Sequence, residues 1–540
     1  MDTDMAKRSQ PLIAAYLIPG ALASGLLLVV AVSAFGALWF NTPDTDWQQI
    51  WDDSYLWHVV RFTFWQAFLS ALFSVIPAVF LARALWRRRF PGRAVFLRLC
   101  AMTLVLPVLV AVFGILSVYG RNGWLAHISG FLGLDYSFSP YGLQGILLAH
   151  IFFNMPLATR MLYQQLDNIA TEQRQLAAQL NMNEWQHFRI VEWPYLRRQL
   201  LPTAALIFML CFASFATVLA LGGGPAATTI ELAIYQALNY DFDIGRAALL
   251  ALIQLVCCIG LVLISQRLSG HFSVGFTQSL QWRNPQDTLP RRLTDGLIIL
   301  CALLFLLPPF FAIIADGLNP GLLPVLQQPA LWRAFFTSLG IALASGFICV
   351  LLTMMLLWSS RELRLRQAVR AGQAMELSGL VILAMPGIVL ATGFFLLLNS
   401  TTGTTDLGAI PYGLVILTNA LMAVPYALKV LDNPMRDLAE RYNPLCLSLN
   451  ISGFNRLKLI ELKALRNPLA QAVAFASVLS VGDFGVIALF GNDDSRTLPF
   501  YLYQQIGAYR NADAAVTALI LFLLCFGLFT VLERLPGKRP

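Results

Sequence analysis

Twelve long apolar runs constrain this chain more than anything else in it. They fall at 12–36, 58–84, 95–119, 142–163, 200–221, 246–267, 293–315, 333–358, 375–398, 412–431, 468–490 and 513–533. One helical crossing of a bilayer needs about 20 apolar residues. Lipid offers no hydrogen-bond partners, so each run is expected to satisfy its own backbone as a helix. The expected fold is therefore an all-α membrane protein with about twelve transmembrane helices. Charged residues make up only 12% of the 540, and hydrophobic residues 58%, whereas a soluble domain is about 25% charged. The first run is read as a retained helix, because no convincing small-residue cleavage site follows it.

Lys and Arg set the orientation. With the N-terminus in the cytosol, 31 of the 37 basic residues fall on inside segments and five on outside segments; Arg61 lies at a helix end. Both termini are then cytosolic. The formal charge of +8 follows from this topology, so it is no footprint of nucleic-acid binding, which needs a basic face in water.

The runs fall into two sets of six, and a cytosolic segment after the fourth run recurs 269 residues later. Leu180 falls on Leu449, Asn181 on Asn450, Trp185 on Phe454, Val191 on Ile460 and Glu192 on Glu461. Pro156 and Pro425, and Ser214-Phe215 and Asp483-Phe484, keep the same offset, while Pro107 pairs with Pro386 and Trp57 with Trp332. Six is even, so the repeats are parallel, about an axis along the membrane normal. The expected organisation is a first repeat over 1–268 with its loop at 167–199, and a polar linker over 269–290. A second repeat follows over 291–540, with its loop at 432–467. Two amphipathic pads on one side suit a channel worked by a separate motor.

Several chemistries are excluded. No Gly-x-x-x-x-Gly-Lys-[Ser/Thr] occurs, so the usual cradle for ATP phosphates is missing. No triad or paired carboxylates are readable, and no enzyme is expected. Seven of the eight cysteines fall in apolar runs, where small packing residues belong. The five histidines are scattered, so no metal site is read.

The pads resemble the cytosolic "EAA" loop of type I ABC importer permeases. That pattern reads Glu-Ala-Ala, three residues, Gly, nine residues, an Ile-like residue, one residue, then Leu-Pro. In the first copy Ala177-Ala178 match the alanines, Val191 the Ile-like position and Pro194 the proline. Leu176, Asn181 and Trp193 replace the acidic residue, the Gly and the Leu. In the second copy Ile460 and Leu462 fit, while Cys446-Leu447, Asn450 and Lys463 depart. Asn tolerates the left-handed region better than most residues, so Asn181 and Asn450 are expected to keep the turn that Gly makes.

The resemblance implies a bacterial inner-membrane permease of MetI-like fold that takes substrate from a periplasmic binding protein. It implies two copies of an ABC ATPase subunit, one per pad, which carry the ATP and Mg²⁺; this chain binds no cofactor. Coupling would fall to Ala177, Ala178, Leu180, Asn181, Trp185 and Phe188, and to Leu449, Asn450, Phe454 and Leu457. Within the fused two-half branch the chain is similar to thiamine permeases of Gram-negative bacteria, and also to ferric-iron permeases. Ser480-Val481-Gly482-Asp483-Phe484-Gly485 resembles a stretch shared by both. Thiamine, with its phosphates, is the cargo implied, and iron the alternative.

Asp483 stands out because a mid-span carboxylate is costly and usually faces a cavity or a partner. Two readings stay open: a lining of the path or gate, with Ser214 as its uncharged counterpart, or a structural hydrogen bond. The acidic outer loops at 40–57 and 222–245 read either as charge depletion or as a docking face. A twelve-helix secondary transporter is the rival class, yet it needs relay carboxylates, and Asp483 alone is thin for that role.

Overall fold

The computed structural model describes residues 14–41, 52–103, 105–268, 287–366, 368–402, 410–490 and 496–534. The first two acidic residues of the 40–57 loop, Asp44 and Asp46, and most of the 269–290 linker lie outside them. Among the described residues there is helix and no strand, and nine helices are long and apolar enough to cross a membrane, or ten with one bent pair. This is an all-α membrane fold, and every one of the twelve runs carries a helix or a broken pair.

The long helices start and stop where local chemistry requires. Ser54–Arg87 begins at Asp53, whose carboxylate accepts from the backbone N–H of Tyr55 and Leu56, an N-cap that satisfies two orphan donors. It ends in Arg87 and Arg88, just ahead of Pro91, which cannot continue a helix.

The third and fifth runs of each half are broken rather than continuous. Arg93–Met102 is separated from Val108–Tyr119 at Pro107, and Val369–Leu380 from Gly387–Thr402 near Pro386. A proline pushes the residue before it out of the α region, and Met385 is accordingly extended. The fifth runs break without proline. Ser214 is extended between Trp193–Phe212 and Phe215–Leu221, a bend of 57°. Asp483 is extended between Arg466–Gly482 and Gly485–Phe490. Asp483 thus sits at a helix break and not within a continuous span.

The chain forms two compact units, and these do not follow the sequence halves. One combines the Ile18–Asn41 helix with 234–256 and 320–540; the other combines 46–233 with 257–319. In the first unit Ile18–Asn41 packs on Pro329–Leu365 and Gly387–Thr402. The Ser359 hydroxyl accepts from the Gly20 N–H and donates to the Tyr16 carbonyl, and Ser378 donates to Ser24. In the second unit Leu289–Gly317 packs on Val108–Tyr119 and Ser54–Arg87. There Asp295, nearly buried, accepts from Arg88 at 2.7 Å. Beside it Asp287 lies below the usual carboxylate range, chiefly because Arg88 donates to it, with Arg292 adding a second donor. The first helix of each half has therefore been exchanged for that of the other.

Candidate functional site: the paired pads and the helix breaks

Both pads are built by the same sequence of turns. In the first, Thr171–Gln179 ends at Asn181, whose φ is +54°. The Met182 N–H then closes on the Ala177 carbonyl at 3.1 Å. In the second, Ile410–Ser448 ends at Asn450, with φ +50°, and the Ile451 N–H closes on the Cys446 carbonyl at 2.8 Å. This left-handed C-terminal cap is usually made by glycine and sometimes by asparagine, so the expected turn is present in both copies. The chain restarts at Asn183, which forms a reciprocal cap with Gln186, and at Ser452 in the second copy. Each restart then widens into a short π-helical stretch, His187–Glu192 and Leu457–Glu461.

The π stretches end on a pair of buried carboxylates, Glu192 and Glu461, which stand at equivalent positions. Glu192 is fully buried and accepts from Arg83 at 2.6 Å and from Arg87 at 2.8 Å, with His187 Nδ1 at 3.2 Å. Glu461 is held by Arg361 and by Arg456, the latter at 3.1 Å. Arg83, Arg87 and Arg361 come from the second long helix of each half, so one ion cluster fastens each pad to its bundle. These arginines were not singled out from the sequence. They lie about 100 residues from their carboxylates, and only the equivalence of the two Glu pointed to them.

The exchanged helices also meet the pads, at the same repeat position. Arg291, from Leu289–Gly317, pairs with Glu184 at 3.2 Å. At Gly453, the counterpart of Glu184, φ is +56° and a Cβ would come within 2.6 Å of the Tyr16 ring. Only glycine fits there, because both the backbone conformation and the space exclude a side chain.

The residues expected to couple divide into outward and inward sets. Leu180 and Leu449 are 60% and 59% exposed, and Trp185 and Phe454 66% and 64%. Four large apolar side chains thus face outward at matching positions, and Asn181 and Asn450 are exposed beside them. Phe188 and Leu457 are half-buried in the π stretches. Phe188 lies under the Arg83 guanidinium at 4.2 Å and against Trp185 and Trp193. Ala177 is buried, as is its counterpart Cys446, and Ala178 is half-buried. Ala177 therefore seats the helix within the chain and presents no surface to a partner.

At the other end of the fifth runs, Ser214 and Asp483 differ in their partners. The Ser214 hydroxyl is 2.9 Å from His150 Nε2, and the Ser70 hydroxyl is 2.8 Å from His150 Nδ1. In the second half Asn419 replaces His150 and donates to Ser480 at 3.0 Å. That leaves Asp483 with its own backbone, accepting from the Val486 N–H at 3.3 Å. Among the described residues no cationic side chain pairs with Asp483. The two breaks therefore share a backbone shape and differ by one negative charge.

Comparison with known proteins agrees with this architecture. Residues 74–273 match the family model described as binding-protein-dependent transport system inner membrane component. The chain is 69% identical to the thiamine transport system permease protein ThiP of Escherichia coli (strain K12), over 99% of each. It is 42% identical to the protein of the same name from Haemophilus influenzae, over 95% of each. A sulfate transport system permease protein of Synechocystis, 27% identical, is matched over 92% of its own length but covers only 46% of this chain, as expected if one half here equals one whole subunit there. The chain belongs to the family of binding-protein-dependent transport system inner membrane components, together with the thiamine transport system permease proteins that it matches from end to end.

Proposed function

We propose that this chain is the permease subunit of an ATP-driven importer that carries thiamine and its phosphates across the bacterial inner membrane. The observation that carries the cargo is the 69% identity over 99% of the chain to a permease named for thiamine transport. A soluble binding protein delivers the cargo at the outer face, in keeping with the family description. Two copies of a separate ATPase, holding ATP and Mg²⁺, grip the pads. The support for this is that the pads repeat one turn and expose four apolar side chains at matching positions. The pads and both termini face the cytosol, on the strength of the basic-residue bias. The sequence repeats run over 1–268 and 291–540, joined by the 269–290 linker. Cells lacking this chain and any other thiamine importer should lose high-affinity uptake of radiolabelled thiamine and regain it with the intact gene. Undiminished uptake would overturn the assignment of cargo.

Asp483 and Ser214 belong to the path or its gate. A carboxylate that lacks a cationic partner within the bilayer is tolerated where water or a cationic cargo offsets its desolvation, and thiamine is a cation. Asp483→Asn keeps the shape and removes the charge. It should lower uptake at least tenfold while the complex still assembles, a drop of about 1.4 kcal/mol in the stabilisation of the moving cargo. Basal ATP hydrolysis should persist if Asp483 meets the cargo and rise if it locks the gate. Normal uptake with normal hydrolysis would reduce it to a structural acceptor.

A further inference from the structure

We propose that a groove flanking the first pad binds one anionic phospholipid of the pad-side leaflet, with its headgroup at Arg197 and an acyl chain between the helices. The groove has a volume of about 1250 Å³ and runs between the Ser54–Arg87 and Trp193–Phe212 helices, with Leu261 and Ile264 also lining it. Its wall along Ser54–Arg87 extends from Phe68 to Arg83, which at the helical rise is about 22 Å. One leaflet of hydrocarbon is roughly 15 Å deep, so the groove takes the full depth of an acyl chain. The lining is apolar over that depth, and Phe68, Ile76, Phe80 and Leu201 are each about half exposed.

The charge at the pad end decides between kinds of lipid. Two charged side chains reach the mouth besides Arg197, and each is already engaged. Arg83 is bound to Glu192, and Glu184 to Arg87 and Arg291. Arg197 is exposed and has no ion pair among the described residues. Trp185 and Trp193 flank it, the residue type that sits at the headgroup level. An apolar slot ending in one uncompensated guanidinium between two indoles complements an acyl chain joined to a phosphate of net negative charge. A zwitterionic headgroup brings its own cation and gains less. The occupied groove would back Phe188 and Trp185, and so brace the pad from the membrane side. This inference concerns the isolated chain and stands whether or not thiamine is the cargo.

The test is native mass spectrometry of the purified full chain, equilibrated with phosphatidylglycerol or with phosphatidylcholine at equal mole fraction. One phosphatidylglycerol should be retained with a preference of about fivefold, the worth of one Arg against an anionic leaflet. Arg197→Gln should abolish that preference, and Arg198→Gln, exposed one residue away but outside the groove, should leave it unchanged. Ala205→Trp, which fills the slot, should remove the retained lipid whatever its headgroup; Ala204→Phe serves the same end if that variant fails to fold. Equal retention of the two lipids would overturn the proposal. So would equal losses from Arg197→Gln and Arg198→Gln, or a filled slot that still holds its lipid.

Discussion

A chain carrying Leu180→Asp and Leu449→Asp is expected to reach the membrane folded and to lose, on purification, the ATPase proposed to grip its pads. Both leucines are about 60% exposed in the chain itself, and surface changes of that kind usually alter stability by no more than about 0.5 kcal/mol. In a partner's apolar groove, an unpaired carboxylate costs about 3–5 kcal/mol, which weakens each contact by at least a hundredfold. The single variants should retain the ATPase more weakly than the parent, since one pad is intact in each. Co-purification and thiamine-stimulated ATP hydrolysis are the measurements. A double variant that holds its partner and transports normally would remove the pads from the coupling mechanism.

The second large effect concerns stability. Glu461→Ala should leave Arg456 buried without an ion pair and Arg361 with Glu362 alone, since both arginines are about 5% exposed or less. Breaking a buried pair by deleting one partner costs about 3–5 kcal/mol, because the remaining charge keeps its desolvation penalty. Glu192→Ala should take from Arg83 its ion pair, while Arg87 keeps Glu184 and Asp295. Each should lower the midpoint of thermal unfolding and raise hydrogen exchange first in its own pad. Glu184→Ala, whose side chain is 53% exposed, is the contrast and should cost less than about 1 kcal/mol. If Glu461→Ala proves as stable as Glu184→Ala, the carboxylate clusters do not fasten the pads.

What the sequence made legible follows physical lines. The spans were legible because lipid leaves helices as the only choice. The left-handed turns at Asn181 and Asn450 were legible because few residues tolerate that conformation, and two in register are hard to produce by chance. The breaks near Pro107 and Pro386 carried a proline as a marker. Those at Ser214 and Asp483 carried none, so both runs read as continuous. The π stretches were not legible either, because His187–Glu192 and Leu457–Glu461 suit an α-helix equally well. The inward turn of Phe188 depends on Arg83, a residue remote in sequence. The exchange of first helices was least legible of all. Apolar periodicity tells a helix that it must be buried in lipid or protein, but one apolar helix names no neighbour to another.

That exchange bears on how the molecule is made. The Gly20 N–H and the Ser359 hydroxyl it bonds are 339 residues apart. At about 5–20 residues per second, roughly 20–70 s pass between their emergence from the ribosome. Throughout that interval the first helix lacks the Pro329–Leu365 and Gly387–Thr402 helices on which it packs in the finished chain. The unit around Ser54–Arg87 likewise waits for Leu289–Gly317 before it can close. Neither bundle can finish before the other has begun, and the two are made in one chain through the proposed linker at 269–290. Cutting it after synthesis should leave two fragments that stay interlocked, whereas a chain stopped at 268 should be recognised as unfinished and degraded.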